Sequence, residues 1–160
     1  MKIDNLLISI DQAFDRKSWH GTNLRGSIRG LDIESAKWRP AKGRHNIWEI
    51  VLHCAYWKYV VKRRITGEKR GSFPLKGSNW FERPIAEVDQ ATLWKSDAAL
   101  LAAIHREMRS VIAALSSRDL SKTTHGGNET VLNLVIGIAA HDLYHAGQIQ
   151  LVKRLYRDSK

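Results

Sequence analysis

The sequence predicts an all-α protein, a four-helix bundle. Two observations carry this expectation. Apolar residues recur three and four apart through four long segments, the spacing that paints one face of a helix, and no segment alternates as a strand would. Glycine- and proline-bearing stretches separate the four segments. Four amphipathic helices of this length bury their stripes most simply against one another.

The first helix is expected over residues 3–17, with Ile3, Leu6, Leu7, Ile10, Ala13 and Phe14 on one face. Gly21, Gly26 and Gly30 interrupt the next stretch, although Leu24, Ile28 and Leu31 keep a helical rhythm, a broken or continuing helix. Asn46 and Glu49 have the spacing of a capping box and open the second helix, expected over 46–66 and stopped by Gly67. Residues 67–90, with Gly71, Pro74, Gly77 and Pro84, form a connection long enough to run the length of a helix. Helices 2 and 3 can therefore lie parallel, and connections of this length are often functional. The third helix is expected over 91–116, and the fourth over 130–156 behind Thr130 as N-cap.

The chain has 160 residues, 43% apolar and 26% charged, which fits one globular domain over 1–160 and argues against disorder. Lys and Arg number 26 against 16 Asp and Glu, a net charge of +10. The cations gather at Lys37–Arg44, Lys62–Arg70 and Lys153–Lys160, partly where helices end and cations suit the dipole. None forms a nucleic-acid motif interleaved with aromatics, so a soluble basic surface or attraction of anionic small molecules is favoured over nucleic-acid binding. The lone Cys54 excludes an intrachain disulfide and fits a reducing cytoplasm. Residues 1–4 lack the layout of a signal peptide. The longest apolar run, 131–140, is broken by Asn133 and falls short of the ~20 residues that span a bilayer.

Three of the seven histidines sit in apolar stripes. His141 and His145 are four apart on the fourth helix and share a face, and His53 lies between Ile50 and Trp57 on the second. Neutral imidazole ligates zinc, nickel, copper and iron. Three protein ligands leave a position open to water or substrate, the arrangement of catalytic rather than structural metal sites. Core histidines satisfied by ordinary hydrogen bonds are the competing interpretation. His20, His45, His105 and His125 lie off these stripes or in loops and are expected to be solvated. His141-Asp142-Leu143-Tyr144-His145 has the spacing of the H-E-x-x-H metalloprotease helix but Asp in place of the base, which argues against a protease.

The segments His45–Trp57 (HNIWEIVLHCAYW) and Gly137–Ile149 (GIAAHDLYHAGQI), with the earlier Trp19–Leu24 and Trp38-Arg39-Pro40, resemble the signatures of the DinB/YfiT-like superfamily in the same order. The resemblance implies a four-helix bundle with up-down-down-up topology and a divalent metal, often zinc or nickel, on three histidines that correspond to His53, His141 and His145. It also implies frequent dimerisation and, among characterised relatives, thiol S-transferases and isomerases using low-molecular-weight thiols. It names no substrate.

Around the histidines, Gln148 and Tyr144 fall on or beside the same face, and Glu49 lies one turn before His53. All three are candidates to orient a ligand or a bound water, against ordinary packing for Gln148, a buried ring with a surface hydroxyl for Tyr144 and the capping box for Glu49. Gly147 is a candidate for close approach by a backbone or substrate. Trp57 is expected beside the site, and Trp80, in the crossover, over its mouth. Cys54 diverges by about 100° from His53 on a helix and is expected to be an inert buried thiol. The three-histidine set allows activation of a thiol or of water, and the resemblance implies a metal-dependent enzyme of the thiol S-transferase or hydrolase type. A non-catalytic binding or stress-response module of the same fold, or a basic nucleic-acid-binding bundle, are the alternatives.

Overall fold

The computed structural model describes residues 2–83 and 89–160. Met1, at the amino terminus, and Pro84, in the long connection, lie outside them. Six α-helices are present, α1 (Ile3–Phe14), α2 (Leu24–Ser27), α3 (Ile33–Lys37), α4 (Ile47–Thr66), α5 (Gln90–Ala113) and α6 (Val131–Asp158), with one 3-10 turn at Asp119–Ser121. No strand occurs among the described residues beyond an isolated bridge between Thr123 and Thr130.

Local chemistry sets the boundaries. The Asn46 side chain accepts the Glu49 N–H at 2.8 Å while Glu49 reaches back to the Asn46 N–H, so the expected capping box forms. Gly67 closes α4 in the left-handed region at φ 79°, its N–H on the Arg63 carbonyl. Thr130 caps α6 and Asp89 caps α5. Two expected ends were too long. α1 stops at Phe14, because the next four residues, Asp15 to Ser18, are polar and the Asn23 side chain takes the Arg16 carbonyl at 2.8 Å. α5 stops at Ala113, because the Asp119 carboxylate takes the Ser116 N–H at 2.8 Å to build the next turn. The glycine-interrupted stretch is two short helices, α2 capped by Asn23 and α3 by Asp32.

Contacts between the long helices fix their directions. Near their starts, the Trp48 indole of α4 donates to Asp97 of α5 at 2.7 Å, and near their ends Lys62 donates to Glu107 at 3.0 Å. The two helices therefore run parallel. Asp11 of α1 pairs with Arg109 of α5 while Phe14 stacks on His105, so α1 and α5 are antiparallel. His53 meets His145 and Lys58 meets Asp142, so α4 and α6 are antiparallel. The order is up-down-down-up, with the connection after Gly67 carrying the chain back to start α5 parallel to α4.

The apolar interior has two parts. One gathers around the first turns of α4, with α5 and the later part of α6, and includes Phe14, Ile47, Trp48, Leu101 and Ile149. The other joins α1 to the early part of α6 through Leu6, Ile10, Met108, Val135 and Ile138. Trp57 packs against both. Between them lies a belt of buried polar groups: His53, Lys58, His105, Asp142 and His145. Burying such groups is costly unless they are paired or hold an ion, which makes the belt the natural place to look for function.

Candidate metal centre

α4 presents His53 and α6 presents His141 and His145 toward one point. The Nε2 atom of His141 lies 3.1 Å from Nε2 of His53 and 3.1 Å from Nε2 of His145. All three residues are buried or half-buried.

Partners on the far side of two rings decide where their protons sit. The His53 Nδ1 donates to the Asn79 backbone carbonyl at 3.0 Å. The His145 Nδ1 donates to Oε1 of Gln148 at 2.7 Å, and the Nε2 of the same amide donates to the Tyr144 hydroxyl at 3.0 Å. Both rings therefore turn an Nε2 lone pair inward. Burial holds the imidazoles neutral. It pushes His53 down to about 4 against the Asn79 hydrogen bond, and His141 down to about 3 with help from the neighbouring His145 and His53. His145 is lowered too, by burial, against the Gln148 hydrogen bond. Two lone pairs aimed at the His141 Nε2 are met together by a cation lying among the three nitrogens, whereas one His141 N–H points best at a single acceptor. A tetrahedral metal with nitrogen ligands at about 2.0–2.1 Å holds those nitrogens about 3.3 Å apart, close to the spacing seen. The donor set and its spacing thus fit a metal ion. The His141 Nδ1 is buried without a partner, so that ring is fixed by packing rather than by an acceptor.

Asn79 is a site residue that no sequence pattern singled out. It is the non-glycine residue with positive φ, 67°, in the described chain. In that conformation its carbonyl meets His53 while its side-chain oxygen accepts the Trp57 indole N–H at 2.9 Å. Asn tolerates the left-handed region better than most residues, and strain held at such a place is a frequent companion of function. A backbone carbonyl leaves no mark in a sequence; only the long connection hinted at it.

The other candidates divide. Trp57 and Trp80 line the pocket over the histidines. Trp80 stacks on His53 with ring centroids 3.9 Å apart. Tyr144 is not a buried ring: it is 64% exposed, bound through its hydroxyl to Gln148. Glu49 touches none of the three rings. It is spent on the cap, on Arg39 and on His45, whose Nδ1 is 2.9 Å away. Burial would raise its carboxyl, but Arg39 and His45 outweigh burial and lower it. Gly147 is exposed and nothing approaches it closely.

Of the histidines expected to be solvated, His45 is exposed but engaged, and His105 is buried. His45 is exposed at its edge but stacks face to face on Trp80 at 3.5 Å, giving a continuous His45–Trp80–His53 stack. Its place just before the N-cap of α4 brings it back over the connection, a contact that helical spacing cannot reveal. His105 is 3% exposed, stacked on Phe14 at 3.6 Å, and burial pushes it down to about 2. Its position among Leu101, Ile104 and Met108 was the available signal. His20 and His125 are exposed as expected.

Asp142 does not join the three-histidine group and makes a fully buried ion pair with Lys58. It has no place as a protease base. Cys54 is fully buried, and burial together with Asp142 pushes its thiol up, as an inert thiol requires. Cys54, His141 and Asp142 also cluster closely enough to hold an ion, but Asp142 is engaged by Lys58 and the thiol is protonated.

The pocket in front of the rings measures about 780 Å³ and is walled by α6, the start of α4 and the connection. Ile50, Leu151, Val152 and Leu155 give it an apolar side, and Arg44 puts a cation at the rim.

An up-down-down-up helical bundle with three inward-facing histidines on two antiparallel helices defines a class of bundle proteins with a candidate metal centre in the interior. The chain belongs to the DinB superfamily, whose family model matches residues 18–149. That span includes every residue of the centre. No curated protein and no solved structure matches the chain.

Proposed function

We propose that the protein is a metal-dependent enzyme of the DinB type, in which His53, His141 and His145 hold one divalent ion. Zinc or nickel suits the all-imidazole set best, and iron is also compatible. The observation that carries the reading is the convergence of the His53 and His145 Nε2 atoms, each 3.1 Å from the His141 Nε2, below an open pocket. A divalent metal on three imidazoles supplies Lewis acidity and lowers the pKa of a thiol or water that reaches it.

The chain's own residues do the rest. Asn79 and Gln148 keep the ring protons on Nδ1. Trp80 covers one face of His53 and excludes water there. The apolar wall takes the body of a substrate and Arg44 attracts its anionic group, in keeping with thiol transfer or hydrolysis on a low-molecular-weight thiol or other anionic small molecule. Exposed Ile136, Tyr144, Leu151 and Leu155 lie along one face of α6. They support a homodimer in which a second copy closes the pocket, checked by sedimentation equilibrium of the wild type against Leu151→Glu.

The deciding experiment is elemental analysis of the purified protein beside the variant with all three histidines replaced by alanine. About one metal per chain in the first and none in the second is expected, followed by metal-dependent turnover on panels of thiols and electrophiles. Metal binding without turnover would favour a non-catalytic module of the same fold. Equal metal content in both proteins would remove the centre. No described helix is long and apolar enough to cross a membrane. A cytoplasmic location is part of this proposal, resting on the lone, buried, reduced thiol of Cys54.

A further inference from the structure

The cationic run at the end of α4 plays no part in the histidine centre. Lys62 spends its charge on Glu107 and Glu68. Arg63 does not: its Nε is buried with no hydrogen-bond partner, and among the described residues no carboxylate pairs with Arg63, Arg70 or Lys76. These three cations line one cavity of about 540 Å³ between α4 and the connection, and no acidic residue lines it. A helix dipole explains a cation at a helix end. It does not explain a guanidinium with a buried, unsatisfied nitrogen that shares one cavity with two more cations.

The rest of the wall is aromatic. Phe73 stands edge-on to Tyr56 with centroids 5.3 Å apart, and Tyr59 lies beside it. The Tyr59 hydroxyl accepts the Gly71 N–H at 3.2 Å. Burial would raise this phenol, yet it is lowered, because hydrogen bonds from Ser72 and Gly71 and the Arg63 charge outweigh burial. The Tyr59 hydroxyl therefore sits where Arg63 and two hydrogen bonds favour negative charge.

We propose that this cavity binds a phosphate-type dianion carried on a small aromatic body. Guanidinium groups match phosphate oxygens with directed, charge-assisted hydrogen bonds, and the aromatic wall offers a face for an unsaturated ring. The site is separate from the histidine centre: Ser78 lines this cavity, whereas the next residues, Asn79 and Trp80, line the other. Binding here needs no metal and stands whether or not the histidine reading does.

The test is isothermal titration of the full chain with phenyl phosphate in the presence of chelator. Saturable binding is expected, and it persists when His53, His141 and His145 are all alanine. Arg63→Gln and Arg70→Gln should each weaken it about tenfold or more, the loss of one charge-assisted contact. Arg118→Gln, an exposed cation elsewhere, should leave it unchanged. Arg70 lies on the exposed connection, so its variant folds even if loss of Arg63 disturbs α4. Phenol, which lacks the charge, should not bind. Absence of saturable binding, or binding indifferent to both arginines, overturns the proposal. So does failure of phenyl phosphate where a single-stranded oligonucleotide or anionic phospholipid vesicles bind through Arg63 and Arg70, since the ligand is then a macromolecule or a membrane surface.

Discussion

The Nδ1 of His145 donates to Gln148 Oε1 at 2.7 Å, one turn along the same helix, and the Gln148 amide is itself held by the Tyr144 hydroxyl. One side chain thus selects the tautomer of another and turns its lone pair toward the centre. Gln148→Leu removes that control and leaves the apolar packing of α6 in place. Metal affinity should fall about 10–100-fold, with little change in the denaturation midpoint of the metal-free protein. A competition titration against a chromophoric chelator measures it, and unchanged affinity would show that packing alone orients the ring.

Lys58 and Asp142 form an ion pair whose members are both essentially inaccessible to solvent, with the Lys58 ammonium 5.1 Å from the Phe14 ring. Burial raises the Asp142 carboxyl while Lys58 pulls it down, and one of its oxygens has no partner. Removing only the cation strands the carboxylate. Lys58→Met is expected to cost about 3–5 kcal/mol, and Lys58→Met with Asp142→Leu to recover most of it. Urea denaturation of the two variants decides, and equal losses in both would mean that the pair contributes stability of its own.

Acid should destabilise the metal-free protein early. His53, His141 and His105 are held at about 4, 3 and 2, and His145 is also lowered. In the unfolded chain they titrate near 6.5. As pH falls through 6.5 the unfolded state gains protons and the native state does not. The stability these groups leave intact above 6.5 is therefore lost progressively toward pH 4, by up to about 1.4 kcal/mol per pH unit for each histidine. His105→Leu lies outside the centre and should flatten the slope by roughly one such share. Denaturation midpoints between pH 7 and 4.5 give the comparison, and parallel curves for wild type and variant would contradict the assignment of His105 as a buried neutral ring.

The capping box gives a local test. Asn46→Ala removes the acceptor of the Glu49 N–H and should cost about 1 kcal/mol by equilibrium unfolding. Because Glu49 also holds His45 under Trp80, Glu49→Ala should additionally raise solvent quenching of tryptophan fluorescence, an effect not expected of Asn46→Ala.

Much of this was legible in the chain. Helical spacing placed α4, α5 and α6 to within a few residues, because each buries one stripe and the stripe is written in the residues. The same logic paired His141 with His145, four apart on one face, and set His53 on the inner face of α4. Ends set by polar side chains a few residues beyond the stripe were less visible: Asn23 on the Arg16 carbonyl and Asp119 on the Ser116 N–H shortened two helices.

Consecutive residues alone settle the set of faces: which side chains point inward, where helices begin, and that three imidazoles share the interior of a bundle. Periodicity and capping belong to neighbours in the chain, so they survive without tertiary contacts. The folded chain settles what meets across those faces. It brought the Asn79 carbonyl to His53, stacked His45 and Trp80 over the centre, paired Asp142 with Lys58, and buried His105 against Phe14. Each of those partners is far away in sequence, and such contacts depend on how the helices cross and where the long connection lies, which no local pattern of side chains encodes.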